Sequence, residues 1–364
     1  MELRTRDDFQ RTIERFEAWW RGAVIDRPPV TVYVKPTRPY SGPDGTALTA
    51  LERRTQVEYA VESAIARLEQ RDFVADSFPI VWPNLGPHLT AGLFGGHCEL
   101  APLEADGAWS TPIVQQPEDW DRILQTPCNL NHPYWQLAER MTDYAIARCD
   151  RRYLVGLTDL MGNYDILAAL RGAEELCLDI LNCPDLLRQV GRHVTRGLTE
   201  TVTRSHAKVA AAGFGSTTWC PMYHRGPAYV PSCDFWCMVS PAVARNLIVP
   251  DIRVEMRALE KSIFHLDGVN ALQHLDAILE IEELDAVEWV YGCGQGPAAR
   301  WIDVYRRIRR AGKSIEVLAE NGTDALHVLQ ALGPEGLWLH VNGSEFHSVA
   351  HAQDFIRAVE KEGA

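Results

Sequence analysis

Much is missing from this chain of 364 residues, and each absence removes a class of function. No run of about 18 apolar residues occurs, so no segment is expected to span a membrane. The opening MELRTRDDFQ lacks the apolar core of a signal peptide. Positive charge is scarce: 36 Lys and Arg against 49 Asp and Glu leave a net charge of −13. That balance is unsuited to neutralising a phosphate backbone, and nucleic acid is not an expected partner. There is no internal repeat, no low-complexity run and no long Gly/Ser linker. The nine cysteines are scattered and odd in number, which argues against a disulfide framework. These absences lead to the expectation of a reduced, soluble, cytoplasmic protein.

What is present is a large apolar fraction, 46% with 11 Trp, enough for a substantial core. Short β-rich runs alternate with helical ones: PPVTVYVK, DFVADSFPIVW, RYLVGLTDL, STTWCPMY, SIFHLDG, DAVEWVYG, SIEVLAE and GLWLHVNG. From Ser262 onward a strand is followed by an amphipathic helical segment four times over. Parallel strands need such crossovers. Roughly eight strands over this length predict a closed (β/α)8 TIM barrel, one domain over residues 1–364. Residues from about 86 to 150, rich in Pro, Trp and Asn, read as a long insertion after the first barrel strand.

In such a barrel, chemistry gathers where strands end. FHLDG ends a buried strand, so His265 and Asp267 share one face, with Gly268 for the turn. An imidazole and a second ligand two residues on are how one strand supplies two arms of a metal site. The alternative is a core histidine and a helix-capping aspartate. The second His-Leu-Asp, at His274 and Asp276, falls in a helical run where the two side chains diverge. ADSFPIVWPNLGP places Asp76 at a strand end with Trp82 and Asn84 beyond it. TDLMGNYD places Asp159, then Tyr164 and Asp165. Either Asp76 or Asp159 could instead cap a helix. Asp234 and Trp236 lie in an aromatic, cysteine-bearing stretch whose spacing matches no zinc ribbon. Glu320 and His340 end the last two strands, and His340 reads equally as a core residue.

Several stretches together resemble one family. WWRGAVIDRPPVTV resembles the Asp-Arg-Pro-Pro opening of the uroporphyrinogen decarboxylase superfamily. LAALRGAEELCLDILNCPDLL resembles its Arg-Gly-x-Glu segment, and MVSPAVARNLIVPDI its Ile-Ser-Pro segment. FHLDG stands where the methyltransferase branch carries His-x-Cys-Gly. The likeness runs over most of the chain in the same order and implies a TIM barrel. The Arg-Gln-Ala-Gly-Arg-Tyr segment of true decarboxylases has no counterpart here, which speaks against a tetrapyrrole substrate.

The resemblance to the methyltransferase branch implies a metal-dependent methyltransferase or demethylase acting on a small molecule. Its Zn²⁺ would be held by His265, by Asp267 in place of a cysteine, and by His340 in place of a final cysteine. A carboxylate and imidazole set is harder than thiolates. Asp76, Asp159 and Asp234 would act as catalytic groups, and Trp82, Asn84, Tyr164, Trp236 and Glu320 as substrate contacts. A corrinoid protein would be the methyl partner. The alternatives are a cofactor-free decarboxylase or lyase of a small carboxylate, and a non-catalytic binding barrel.

Overall fold

Apolar residues at helical spacing, Phe9, Ile13 and Phe16, make one face of α1 (Phe9–Trp19), and all three are buried in the computed structural model, which describes residues 2–100 and 107–363. The Trp19 indole N–H donates to the Ile315 carbonyl at 3.2 Å, and that of Trp20 to the Tyr223 carbonyl at 2.9 Å. α1 therefore seals the end of the molecule where the strands begin.

The strands are β1 (Val30–Val34), β2 (Ile80–Val81), β3 (His97–Leu100), β4 (Ala108–Thr111), β5 (Leu154–Val155), β6 (Ala228–Tyr229), β7 (Lys261–Asp267), β8 (Ala286–Val290), β9 (Ser314–Ala319) and β10 (Leu337–Phe346). A six-stranded sheet runs β1-β10-β9-β8-β7-β6, with every neighbour pair parallel. β2 and β5 form a second parallel pair, and β3 and β4 an antiparallel one. The parallel strands thus form two separate hydrogen-bonded groups, one of six and one of two, where a single ring of eight was expected. Flanking residues make further bonds: the Asp76 N–H, ahead of β2, donates to the Val30 carbonyl of β1 at 2.8 Å, and the Leu157 N–H, just past β5, donates to the Thr217 carbonyl at 2.8 Å.

The strand–helix alternation expected from Ser262 is there. Helices follow β9 and β10 at Gly322–Leu332 and Val349–Glu362, each opened by a side-chain cap from Asn321 or Ser348. Two expectations need correcting. The segment from about 86 to 150 follows β2, not the strand at residues 30–34, and it carries β3, β4 and several helices; its residues 101–106 lie outside the described ones. STTWCPMY is not a strand. Thr218 Oγ1 takes the Cys220 N–H at 3.1 Å and Pro221 has no N–H to give, so the stretch bends instead of entering a ladder.

α7 (Asn163–Arg171) starts against a buried carboxylate. Glu255 accepts from the Asn163 side-chain amide at 2.8 Å and from its backbone N–H at 3.2 Å. Burial pushes the Glu255 pKa up to about 8, against which those bonds pull down. The folded carboxyl therefore keeps its proton at neutral pH, while in the unfolded chain it ionises above about 4.3. Stability from this group is fully present at low pH and drains away as pH rises towards 8, by up to ~1.4 kcal/mol per pH unit. Glu255→Gln is expected to flatten that slope in denaturant titrations at pH 5 and pH 8. An unchanged slope would show that Glu255 does not titrate in this window.

Candidate metal centre and reaction cavity

Strand register builds the site. His265 on β7 lies opposite Glu288 on β8, and Glu288 opposite Glu316 on β9. Side chains at paired positions share a face, so an imidazole and two carboxylates line up across three strands. On β10 the register partner of Glu316 is Trp338, and His340, two residues on and on the same face, reaches back to Glu316. His265 Nδ1 meets Glu288 Oε2 at 2.5 Å, and His340 Nδ1 meets Glu316 Oε1 at 2.8 Å. Cys220, delivered by the bent stretch described above, donates its thiol to Glu316 at 3.3 Å.

Electrostatics follow from this crowding. Burial opposes a charged His265, but Glu288, Asp234 and Asp267 overcome it and carry its pKa up to about 9. Burial and the neighbouring Glu288 charge push the Glu316 pKa up, against the pull of His340. The Cys220 thiol is held far above its usual range by burial and by both glutamates.

At the open end of this row, one ligating atom each from Asp234, His265 and Asp267 come within 4.8 Å of one another. They stand beside a cavity of about 720 Å³ whose walls include Asp159, Asp165, Asp234, Trp219, Phe235 and His265. The cavity opens past the carboxyl ends of β5 and β7. Trp219 meets the His265 ring edge-on at 5.2 Å between centroids. Asp165 accepts the backbone N–H groups of Asp234 (3.0 Å) and Phe235 (2.8 Å), which fixes the loop that carries Asp234. Burial first, then the charge of Asp234, raises Asp165 to about 7. Asp159 is raised to about 6 by burial, with His265 pulling the other way. It does not cap α7, whose N-cap is Gly162.

The structure brings together four of the expected site residues: His265, Asp267, Asp234 and Asp159. It places the others elsewhere. His340 does not join the Asp234–His265–Asp267 group; the carboxylate on its Nδ1 is Glu316, and Asp234 is the third member instead. Asp76 is fully buried against Arg15 and Arg27, below the strands. Trp82 and Asn84 line a different cavity. Tyr164 is buried, stacked on Phe235 at 6.5 Å, and Trp236 is buried against His274 at 4.8 Å. Neither ring reaches the cavity wall because each packs behind Phe235 or under the strand end. Glu320 is exposed, and its backbone N–H donates to Asp324 at 3.0 Å. Sequence reasoning passed over Glu288 and Glu316, although each is the single acid inside an apolar strand run, AVEWV and SIEVLA.

Among the described residues no helix is long and apolar enough to cross a membrane. No family model matches the chain, and no curated protein matches it. Among solved structures, the chain is similar to a methyltransferase from Methanosarcina mazei, with 12% identity and a TM-score of 0.63 over 97% of this chain and 99% of that one. It is also aligned with a B12-independent methionine synthase from Shewanella sp. W3-18-1 in complex with selenomethionine, at 10% identity and a TM-score of 0.43 over 93% of this chain and 97% of that one. The first likeness shows a shared fold.

Proposed function

We propose that this chain is a metal-dependent methyltransferase or demethylase built on a closed barrel of the uroporphyrinogen decarboxylase type. The observation that carries the proposal is the convergence of Asp234, His265 and Asp267 within 4.8 Å, with Asp234 and His265 on the wall of a 720 Å³ cavity. One imidazole and two carboxylates are a donor set for a divalent cation such as Zn²⁺, and they fit one without rearranging the strand that carries two of them. An ion held there would supply Lewis-acid activation of the atom that gains or loses the methyl group.

The protein's own residues do the rest. Glu288 fixes the orientation and proton of the His265 ring through Nδ1, leaving the other ring nitrogen free to act as a ligand. Asp159 and Asp165, with pKa values of about 6 and about 7, hold or release a proton near neutrality at the cavity wall. Trp219 and Phe235 give the cavity apolar faces that exclude water. Among the described lining residues there is no Lys or Arg. A neutral or cationic methyl compound suits such walls better than the small carboxylate that a decarboxylase would need. The likeness of FHLDG to the methyltransferase branch points to a corrinoid protein as the methyl partner.

The test is spectroscopic. Methylcob(III)alamin is mixed with Zn²⁺-loaded protein and a panel of thiol, hydroxyl and amine acceptors, and its visible absorbance is followed. Demethylation that disappears in Asp267→Asn is the expected result. Methylcobalamin that stays intact with metal-loaded protein and every acceptor would contradict methyl transfer.

A further inference from the structure

The cavity that holds Trp82 and Asn84 has the opposite character from the aspartate-lined one. It measures about 290 Å³ and lies beyond the end of β2, between α3 (Val57–Glu69) and α6 (Pro133–Arg148). Three arginines line it: Arg53, Arg54 and Arg67. Among the described residues no Asp or Glu does. In a chain of net charge −13, a pocket lined by Arg53 and Arg67 with no carboxylate among the described residues is a local inversion of sign.

The arginines are differently held. Arg54 is 4% exposed and anchored by the carbonyls of Gly107 at 2.6 Å and Asn84 at 3.3 Å. Arg53 spends one N–H on the Leu48 carbonyl at 3.2 Å, and neither Arg53 nor Arg67 forms an ion pair with a described residue. Ser63, on the α3 face that lines the same cavity, is 3% exposed, and its hydroxyl has no hydrogen-bond partner among the described residues. A buried hydroxyl without a partner is uncommon, because leaving it unpaired costs free energy.

We infer that this cavity binds a small oxyanion-bearing ligand, a phosphate or a carboxylate, at a site distinct from the reaction cavity. The guanidinium fork matches both oxyanions in geometry, and each contact with it is charge-assisted. The Ser63 hydroxyl supplies a neutral donor, and the Trp82 and Tyr59 rings supply walls. The wall between the two cavities is thin in sequence terms: the Pro83 carbonyl accepts from Thr158 Oγ1 at 2.9 Å, one residue before Asp159. A ligand seated here therefore touches a segment that leads directly to the reaction cavity.

Calorimetric titration of the full chain with inorganic phosphate and, separately, with succinate tests this, at an ionic strength held constant with KCl. Saturable binding of at least one probe is expected, and the stronger of the two identifies the oxyanion class. Arg53→Gln and Arg67→Gln are each expected to weaken it about tenfold or more, since each removes a charge-assisted contact. Arg67 is exposed, so its variant folds even if others do not. Metal binding at Asp234, His265 and Asp267 should be unchanged in both variants, which separates this site from the reaction cavity. No saturation with either probe, or variants that bind like the parent chain, would overturn the inference.

Discussion

Arg27→Ala is expected to lower the stability of the protein by about 3 kcal/mol, because it strips one partner from a buried charge. Asp76 has no exposed surface. Its carboxylate is satisfied by Arg15 at 2.9 Å, by Arg27, by the Thr12 hydroxyl at 3.2 Å and by the Val30 N–H at 2.9 Å. These partners come from α1, from the turn before β1 and from β1 itself, so one carboxylate ties together the three segments that close the amino-terminal end. Arg27 is itself 3% exposed, and its partners among the described residues are this cluster, the Pro28 carbonyl and Glu360 at 3.8 Å. Without it, a buried negative charge keeps Arg15 as its cationic partner beside two neutral donors. Guanidinium titration compares the variant with the parent chain. A loss under about 1 kcal/mol would mean that the cluster is solvated and contributes as a surface pair does. Asp76→Asn should behave likewise, with an effect on stability and none on chemistry at the distant cavity.

Glu288→Gln is expected to weaken divalent-metal binding by about 10–100-fold when measured above pH 9. The high pH matters because two effects of the substitution oppose each other. In the parent chain His265 has a pKa of about 9, so a metal ion must displace its proton at neutral pH, and affinity should climb with pH until about 9. Glu288 is the first of the groups that raise this pKa against the effect of burial. Removing its charge lets the ring lose its proton at lower pH and moves the climb to lower pH as well. Above pH 9 both rings are neutral, and what remains is the lost orientation of His265. Metal titrations across pH 6–10 would show both effects. A variant with the same affinity and the same pH dependence would show that Glu288 neither orients nor charges the ring.

Much of the scaffold was legible. β7 to β10 are apolar runs bounded by turn residues, each is followed by a helical segment, and those after β9 and β10 open on side-chain caps, so local pattern alone identifies them. The pairing of His265 with Asp267 was legible for the same reason, since a period of two puts both on one face. What the local pattern does not contain is register. Glu288 becomes a partner of His265 only because β7 and β8 align those positions, and Glu316 joins through the next pairing. Asp76 misleads because it ends an apolar run as a catalytic acid would. The arginines that explain it lie 61 and 49 residues away, and no spacing in the sequence announces them. Trp82 and Asn84 do line a cavity, but α3 and α6 turn them from the aspartates towards the arginines. His340 was placed by analogy with a cysteine, and Glu316 on the neighbouring strand claims its ring.

The central claim is a divalent metal site at Asp234, His265 and Asp267. Elemental analysis of the full chain, purified without added metal and then equilibrated with one equivalent of Zn²⁺ and desalted, tests it most directly. The expected result is about one bound ion per chain in the parent protein and none in a His265→Ala, Asp267→Asn double variant that still folds. Protein that retains no metal after equilibration, or a double variant that retains as much as the parent, would contradict the claim.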